Sequence, residues 1–403
     1  MSVTNKLTNT LPESTQKILA VLAIAGFAGV ITTRLCDAML PALAAAFTVS
    51  SAEASIVIWA FSVTYGLMQL VYGPLGDRFG KPRVIALATG LCALASLAAA
   101  AASTLPALAL ARAAIGASAA AIVPLALAWI GDTVPVERRQ IVLARYSGAT
   151  VSGIMLGAWA GGFLTETLGW RATFLSFVPL FLVVAAVLWN LDGKERSKSH
   201  IKTAYEPYRR QLMNMLRTRR AQVVFGGALL EAMFVFGFLA FLPTVVHTQF
   251  AMSLSYGGAV LAGFGLGGLG FSRVAHVFVR SMTTAAQARI GSGVLATGYA
   301  MLAWMPHWSW AISGCLVAGF GFYTLHNTFQ YSALQLSATS RGLGVSLFAS
   351  FLFLGQSLGV ILAANIFSLW GASWSFTIAG AALTIIGLTF AHLLESLGTS
   401  DGR

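Results

Sequence analysis

Apolar runs of about 20 residues, each long enough to cross a bilayer as a helix, alternate with short polar turns along this chain. The first run begins at Ile18, after a polar lead that ends at Lys17, and continues to about Leu40. Because this run is too long for the apolar core of a signal peptide, we expect a retained transmembrane helix. Further runs lie at about 54–73, 84–101, 105–130, 141–164, 172–191, 221–246, 256–279, 290–305, 308–336, 343–369 and 374–394. The pattern predicts an all-α polytopic membrane protein with twelve transmembrane helices.

One longer polar segment, from Asp192 to Arg220, divides the runs into two groups of six. We therefore predict an N-terminal six-helix bundle over 1–192, a cytoplasmic linker over 193–220 and a C-terminal six-helix bundle over 221–403. Within the linker, the stretch from Tyr208 to Leu216 favours an amphipathic helix on the membrane surface. Glycines of the fifth run recur about 200 residues later in the eleventh, which favours two related bundles.

The turn between the second and third runs is the most informative stretch of the sequence. Residues 73–83, GPLGDRFGKPR, place glycines and one acid among basic residues between two apolar runs. This spacing resembles the G-x-L-x-D-R-x-G-R/K motif of the major facilitator superfamily of transporters. The resemblance implies that fold, with two six-helix bundles around a central cavity that works by alternating access. It also implies a role in conformational gating for Gly73, Asp77, Arg78, Gly80, Lys81, Arg83 and, at the end of the fourth run, Asp132.

In that family the acid of this turn helps to hold the two halves together when the carrier faces outward. The resemblance therefore implies that Asp77 lies near the start of the eleventh helix, around Gly342 to Gly344. The positive end of that helix would attract the carboxylate, and Arg83 with Asp132 would extend the network.

Two further stretches strengthen the resemblance. In the fourth run, Arg112 precedes Gly116 by four residues, as in the superfamily's intramembrane arginine motif. In the fifth run, the glycine spacing resembles the G-x-x-x-G-P-x-x-G-G motif of the drug/proton antiporter branch, carried by Gly153, Gly157, Gly161 and Gly162, with Ala158 in place of the proline. Small residues at this spacing also let two helices pack closely, so close packing and a gating role are both open for these glycines.

The composition agrees with a membrane location and explains the charge of the chain. With 57% hydrophobic and 9% charged residues among 403, the chain has too few polar side chains to cover a soluble domain. The formal net charge of +12 suggests nucleic acid at first, but most basic residues fall on one side of the predicted topology. We therefore predict a multi-pass protein of the cytoplasmic (inner) membrane with both termini in the cytoplasm. We expect the lipid bilayer as a partner, no nucleic acid, and a monomer.

Two acids, Asp37 and Glu231, lie well within predicted helices, where an ionised group costs at least about 2.5 kcal/mol. Arg34 lies one helical turn before Asp37, and Arg112 of the fourth helix reaches a similar depth. Asp37 can therefore pair with either arginine. Since the resemblance implies an acid and an arginine near the cavity of proton-linked exporters, we assign proton coupling to Asp37, Arg112, Glu231 and Arg34. A purely structural pair of Asp37 with Arg34 is the alternative.

Polar and aromatic stripes on three predicted helices are candidates for substrate binding. A polar stripe inside an apolar run must face a wet cavity or other helices. An acid followed by rings on one face suits a lipophilic cation or a proton, although aromatic stripes also serve packing. The candidates are Tyr65 and Gln69 of the second helix, Phe234 and Phe238 beside Glu231 in the seventh, and Tyr323, His326, Asn327 and Gln330 of the tenth.

Enzymatic functions lack support, because the sequence contains neither an H-E-x-x-H motif nor a G-x-x-x-x-G-K-[ST] phosphate loop. The three cysteines are scattered and indicate no disulfide framework. We expect no enzyme, no metal and no bound cofactor, with a proton gradient as the energy source. The best hypothesis is proton-coupled efflux of small amphipathic organic compounds.

Two alternatives remain at this point. Arg34, Arg112 and Arg273 outnumber the two buried acids, which favours a symporter or facilitator for a small anionic metabolite. The other alternative, from a different class, is a transporter-like sensor that binds its ligand without transporting it.

The one-sided distribution of basic residues makes the orientation testable. A cysteine introduced at Ser199, in the linker, should resist a membrane-impermeant maleimide added to intact cells and react once the cells are permeabilised. Efficient labelling of intact cells would contradict the predicted orientation.

Overall fold

A computed structural model describes residues 11–195, 208–336 and 341–400 of the chain. These ranges contain helices and no strand, which confirms the all-α class. Nine helical segments within them are long and apolar enough to cross a membrane. The remainder of the linker, residues 196–207, and both predicted cytoplasmic termini lie outside the described residues.

The first half consists of six long spans, three of them broken into two helices. Each break spans only a few residues, so we count each pair of helices as one span. The spans are the first (Glu13–Arg34 and Leu40–Phe47), second (Ser51–Ala54 and Ile56–Phe79), third (Lys81–Ala101), fourth (Leu105–Ala119 and Ile122–Thr133), fifth (Val136–Leu168) and sixth (Trp170–Glu195).

The second half repeats this arrangement after a short helix, Tyr208–Arg217, which confirms the helix predicted in the linker. Its last helical segment holds two spans that meet at Gly371, where φ is 73° and glycine is favoured. The spans are the seventh (Arg219–Leu239 and Leu242–Phe250), eighth (Leu254–Ser281), ninth (Thr284–Ala303), tenth (Ser309–Leu334), and eleventh and twelfth together (Arg341–Ser400). The ninth and tenth are not among the nine segments counted above as apolar enough to cross a membrane.

The two halves pack by equivalent pairs of spans. Each pair in the second half carries numbers that are six higher than those of its counterpart in the first half. In the first half the first span packs on the fifth, the second on the fourth and the third on the sixth. In the second half the seventh span contacts the eleventh through Gly355 and Gly359, the eighth packs on the tenth, and the ninth contacts the twelfth through Gly380 and Gly387. This repetition is the architecture of two related six-helix bundles.

Two pairs of spans join the halves, the fifth with the eighth and the second with the eleventh. We call the end of the bundle that carries residues 73–83 the basic end. Toward the opposite end, the backbone of Gly258 in the eighth span lies directly against the carbonyl group of Ala158 in the fifth. There, too, Ser357 of the eleventh span donates a hydrogen bond of 3.0 Å to the carbonyl oxygen of Trp59 in the second.

A side-chain contact adds to this closure at the opposite end. The carboxylate of Glu166 accepts hydrogen bonds from the hydroxyl and the backbone N–H of Ser255, the latter at 3.2 Å. Glu166 ends the fifth span and Ser255 begins the eighth, so this contact joins the two halves.

The close approach at Gly258 predicts that a larger side chain there opens the opposite end. Gly258→Val should lengthen the distance between spin labels at Thr167 and Gln249, two exposed positions on different halves, because the new methyl groups overlap the backbone at Ala158. Gly148→Val is the matched control, since a Cβ at Gly148 meets nothing within 4 Å. Identical distance distributions in the two variants would contradict the prediction.

Candidate functional site

A central cavity of about 410 Å³ lies between the two halves, a volume suited to a small organic molecule. Four spans of each half line it: the first, second, fourth and fifth, and the seventh, eighth, tenth and eleventh. Its wall is largely apolar and rich in aromatic rings, from Tyr65, Phe236, Phe264, Phe271, Phe322, Tyr323 and Phe353.

The polar stripe of the tenth span faces this cavity. Tyr323, His326, Asn327 and Gln330 all line its wall. Tyr65 of the second span lines the wall as well, and its ring centre lies 4.0 Å from that of Phe353 in the eleventh. The sequence pattern thus placed these five residues together correctly, and their role in binding substrate stays a prediction.

Three other candidates, Gln69, Phe234 and Phe238, do not line this cavity, and we correct their assignment to its wall. Gln69 is buried within the first half. Phe238 is fully buried and packs between Phe234, at 5.8 Å between ring centres, and Phe367, at 6.1 Å. Phe236 of the same helix lines the cavity instead. The rotation of the seventh span about its axis follows from its packing against the eleventh, which the sequence pattern did not reveal.

Asp37 lies in the break of the first span and is fully buried. Its Oδ2 lies 3.3 Å from Nη1 of Arg34, and its Oδ1 has no hydrogen-bond partner among the described residues. Arg34 also lines the cavity, where its guanidinium lies 4.3 Å from the ring centre of Phe236 in the second half. Arg34 therefore connects the buried acid both to the cavity and to the other half of the molecule.

Arg112 is buried beside this pair and fastens three spans of the first half. Its Nε donates to the carbonyl oxygen of Val57 at 3.2 Å, and its Nη2 donates to that of Thr32 at 3.0 Å. The guanidinium lies 4.3 Å from the ring centre of Phe61. Of the two pairs that the sequence allowed, the structure contains the Asp37–Arg34 pair, and Arg112 acts on Asp37 through its charge at longer range.

Glu231 forms a second buried pair, in the second half. Its Oε2 lies 2.8 Å from Nδ1 of His326, and its Oε1 has no hydrogen-bond partner within the described ranges. The imidazole lies between the rings of Phe322, at 4.7 Å, and Phe348, at 5.1 Å. In the sequence Glu231 and His326 belong to separate features, because no local pattern connects residues that are 95 positions apart.

A chain of aromatic contacts joins the two buried pairs across the cavity. Arg34 lies over Phe236, whose ring centre is 5.0 Å from that of Phe322. Phe322 stacks on His326, which contacts Glu231. Each half thus holds a buried carboxylate that reaches the cavity through a basic side chain.

The charged turn at the basic end is organised by Lys81. Its Nζ lies 2.8 Å from Oδ1 of Asp77 and 2.8 Å from Oδ2 of Asp132, so it bridges the second and fourth spans. Asp132 joins the network around Asp77 through Lys81, while the guanidinium of Arg83 lies 4.7 Å from a ring centre of Trp189. The part of Arg83 in that network stays a prediction.

The remaining residues of the turn shape it. Gly80 has φ 91°, a conformation that favours glycine, and it allows the second span to end where the third begins. Arg78 contacts the ring of Phe79 at 5.1 Å, and a Cβ at Gly73 would meet nothing within 4 Å. The contact of Asp77 with residues 342–344 and the gating role of the turn stay predictions.

The glycines of the fifth span pack directly on the first. Gly153, Gly157 and Gly161 lie against the carbonyl oxygens of residues 27, 31 and 35 in turn. This spacing of four residues brings the fifth span close to the helix that carries Arg34 and Asp37. Close packing is therefore established for these glycines, and their gating role stays a prediction. Ala158, which replaces the proline of the motif, lines the cavity.

A second cavity, of about 630 Å³, lies between the first, fourth and fifth spans near the basic end. We call it the basic-end cavity. Arg138, Arg145 and Gln16 line it, together with Tyr146, whose buried hydroxyl has no hydrogen-bond partner among the described residues.

Comparisons with known proteins agree with this architecture. A family model described as Major Facilitator Superfamily matches residues 22–340. The multidrug export protein EmrB of Haemophilus influenzae is 28% identical over 177 residues, 44% of this chain and 35% of that protein. The methyl viologen resistance protein SmvA of Salmonella typhimurium is 37% identical over 145 residues, 36% of this chain and 29% of that protein. The chain thus spans 35% or less of the length of these two relatives.

Solved structures share the fold over nearly the whole chain. The crystal structure of a bacterial homolog to the human lysosomal transporter Spinster, in an inward-facing and unoccupied conformation, has a TM-score of 0.76 at 17% identity. The match covers 95% of this chain and 97% of that one. A crystal structure of the peptide transporter POT in complex with sulfate gives a TM-score of 0.77 at 13% identity and covers 95% of each chain. At these identities the likeness shows the fold alone.

The buried bonds of Arg112 predict a large loss of stability when its side chain is replaced. Arg112→Met should lower the midpoint of thermal unfolding by roughly 5 °C or more, because two charge-assisted hydrogen bonds to Val57 and Thr32 are lost. Arg273→Met is the control, since Arg273 is exposed and bonds only within its own helix among the described contacts. Equal midpoints for the two purified variants would show that these bonds do not hold the first half together.

Proposed function

The chain belongs to the major facilitator superfamily, and on that premise we propose that it is a proton-coupled exporter of small amphipathic organic compounds. The observation that carries this proposal is the central cavity, with aromatic walls and a buried carboxylate, Asp37, that reaches it through Arg34. The coarser conclusion, a multi-pass membrane transporter, follows from the family and from the apolar spans.

The wall of the cavity suits amphipathic compounds. Rings from both halves offer apolar area and attract positive charge through their π faces. Asn327, Gln330 and Gln356 add a few uncharged hydrogen-bonding groups, as in sites that accept varied ligands. The names of the two relatives, a multidrug export protein and a methyl viologen resistance protein, support the same class of substrate.

The distribution of charge supports export from the cytoplasm. By the positive-inside rule, the basic end lies on the cytoplasmic side of an inner membrane. Two contacts that join the halves lie toward the opposite end, Gly258 with Ala158 and Ser357 with Trp59, and the basic-end cavity lies in the first half near the cytoplasmic side. This arrangement corresponds to an inward-facing state that takes substrate from the cytoplasm, with Asp77 free to contact the eleventh span when the carrier faces outward.

Asp37 and Arg34 provide a physical basis for exchange of a proton for substrate. While Asp37 is ionised, it holds Arg34 against the wall, above Phe236. When Asp37 takes a proton, the arginine loses its counter-charge, and its unpaired charge makes the cavity less favourable for an apolar or cationic compound. Proton and substrate therefore weaken each other's binding by the same factor, which is the condition for antiport.

An anionic substrate is the second candidate, and Arg34 favours it. An anion would replace the Asp37 carboxylate on Arg34, and it would do so best once Asp37 is protonated. Proton and anion would then bind together, which gives symport instead of antiport. The arginines of the basic-end cavity would attract such an anion from the cytoplasm.

Flux measurements in proteoliposomes test the proposal. Uptake of methyl viologen or ethidium by reconstituted full-length protein should accelerate when the lumen is acid relative to the outside. Asp37→Asn should lose this acceleration and retain a slower exchange of substrate across the membrane at equal pH, because the proton site is gone and Arg34 keeps an unpaired charge at the cavity. Glu137→Gln, an exposed acid at the basic end, is the matched control and should behave as the unmodified protein.

Each other outcome has a distinct meaning. Uptake of an organic anion driven by an acid outside would replace antiport by symport. Binding of these compounds without any flux would replace the transporter by a ligand sensor. Flux that ignores the pH gradient, or an Asp37→Asn variant that retains the full response, would overturn coupling through Asp37.

A further inference from the structure

The second half contains a buried carboxylate that coupling through Asp37 does not use. Glu231 of the seventh span is fully buried, and only one of its two oxygens, Oε2, is bonded to a described residue, His326. A carboxylate in this position is costly within a membrane unless it is protonated or paired with a positive charge. Its partner is a side chain that itself binds or releases a proton.

His326 brings the charge of this pair to the cavity. It lines the cavity wall, while its Nδ1 lies 2.8 Å from Glu231. With the proton on Nδ1 donated to the carboxylate, Nε2 is the ring nitrogen available to the cavity. The carboxylate itself never reaches the wall, so the imidazole is the group that a ligand meets.

The surroundings of the pair are aromatic and largely uncharged. Phe322 and Phe348 lie on the imidazole, and Phe322 also lines the cavity. The ionisable groups near the pair among the described residues are two phenols: Tyr323 on the cavity wall, and Tyr299 of the ninth span, whose hydroxyl donates to the carbonyl oxygen of Val235 at 2.8 Å.

From the other elements around the cavity, the charges are few. The first span contributes Arg34, whose charge is offset by Asp37. The eighth span contributes Phe264 and Phe271 to the wall, and the eleventh contributes uncharged Gln356. The pair is therefore the site in the second half where negative charge can appear at the cavity.

We propose that Glu231 and His326 form a subsite for an organic cation, at which the bound cation replaces one proton of the pair. The subsite rests on the proposed function, since it takes the central cavity as the path of the substrate. It gives the second half a charge-recognition element of its own, separate from Asp37.

The charges balance in this exchange. A carboxylate and a neutral imidazole together carry one negative charge. When the pair binds one further proton, it consists of a carboxylate and an imidazolium and has no net charge. Loss of that proton to water in the cavity, through Nε2, leaves the pair with one negative charge. A monovalent cation over the rings then restores neutrality, with the rings adding cation-π attraction. Cation and proton compete for the same negative charge, and each weakens the binding of the other.

Binding of tetraphenylphosphonium to the purified full-length protein tests the subsite without any need for transport. Calorimetry in buffers of different ionisation enthalpy measures the protons released per bound cation. The Asp37→Asn, Arg34→Gln double variant removes the other proton site together with the charge of its arginine, so it is the background for the measurement. In that background we expect release of about one proton per cation and an affinity that rises about tenfold per pH unit.

Adding Glu231→Gln should abolish this release and make the affinity nearly independent of pH. His326→Gln should also abolish it, and infrared spectra should then show a protonated carboxyl group that persists when tetraphenylphosphonium binds. Glu137→Gln and His276→Gln, which change an exposed acid and an exposed histidine, are the matched controls and should retain the release. The His326→Gln result stands if the Glu231 variant fails to fold.

The outcomes separate this inference from the proposed function. Proton release that persists without Glu231, or no binding of tetraphenylphosphonium at any pH, overturns the subsite even if flux follows the pH gradient. Release that depends on Glu231 and His326 supports the subsite even if the flux measurements reject proton-coupled export.

Discussion

The cost of an ionised side chain inside a membrane is the constraint on which the rest of this structure depends. Asp37, Arg112 and Glu231 are each almost completely buried, and each keeps one polar atom without a described partner. A buried polar atom without a partner costs free energy, so these three residues are places where the bundle carries that cost. The two carboxylates also share a plan, since each is hidden behind a basic residue that forms part of the cavity wall.

Close backbone contacts make this arrangement possible. With glycine at 153, 157 and 161, the fifth span lies directly on the first and holds the helix that carries Arg34 and Asp37. Gly355 and Gly359 hold the eleventh span on the seventh, which carries Glu231. The two charged pairs lie at different places along these spans: Asp37 lies in the break of the first span, whereas Glu231 lies eight residues before the end of the helix Arg219–Leu239. Contacts of this kind fix the depth and rotation of each helix, and with them the side chains that reach the cavity.

The sequence predicted what depends on short range, and it missed what depends on helix rotation and distant contacts. Runs of apolar residues locate each span because a membrane imposes a minimum length, and the pair of Arg34 with Asp37 is visible because the residues lie one turn apart. The stripe of the tenth span was also correct, since polar groups cannot face lipid. Phe238 was assigned to the cavity in place of Phe236 because packing, not local pattern, sets the rotation of the seventh span. The bonds of Lys81 to Asp132 and of Glu231 to His326 join different spans and left no local signal.

The two buried acids differ in when their partners are synthesised. Arg34 and Asp37 belong to the same span, so that acid is paired as soon as the span forms. Glu231 precedes His326 by 95 residues, which a ribosome adds in about 5–20 s. During that interval the seventh span must stay inserted with an acid that has no imidazole to contact, held by the hydrophobicity of its own Phe, Leu and Val residues. During biosynthesis the buried acid of the second half therefore lacks its partner for a time, which the acid of the first half does not. This stage ends when the tenth span is inserted.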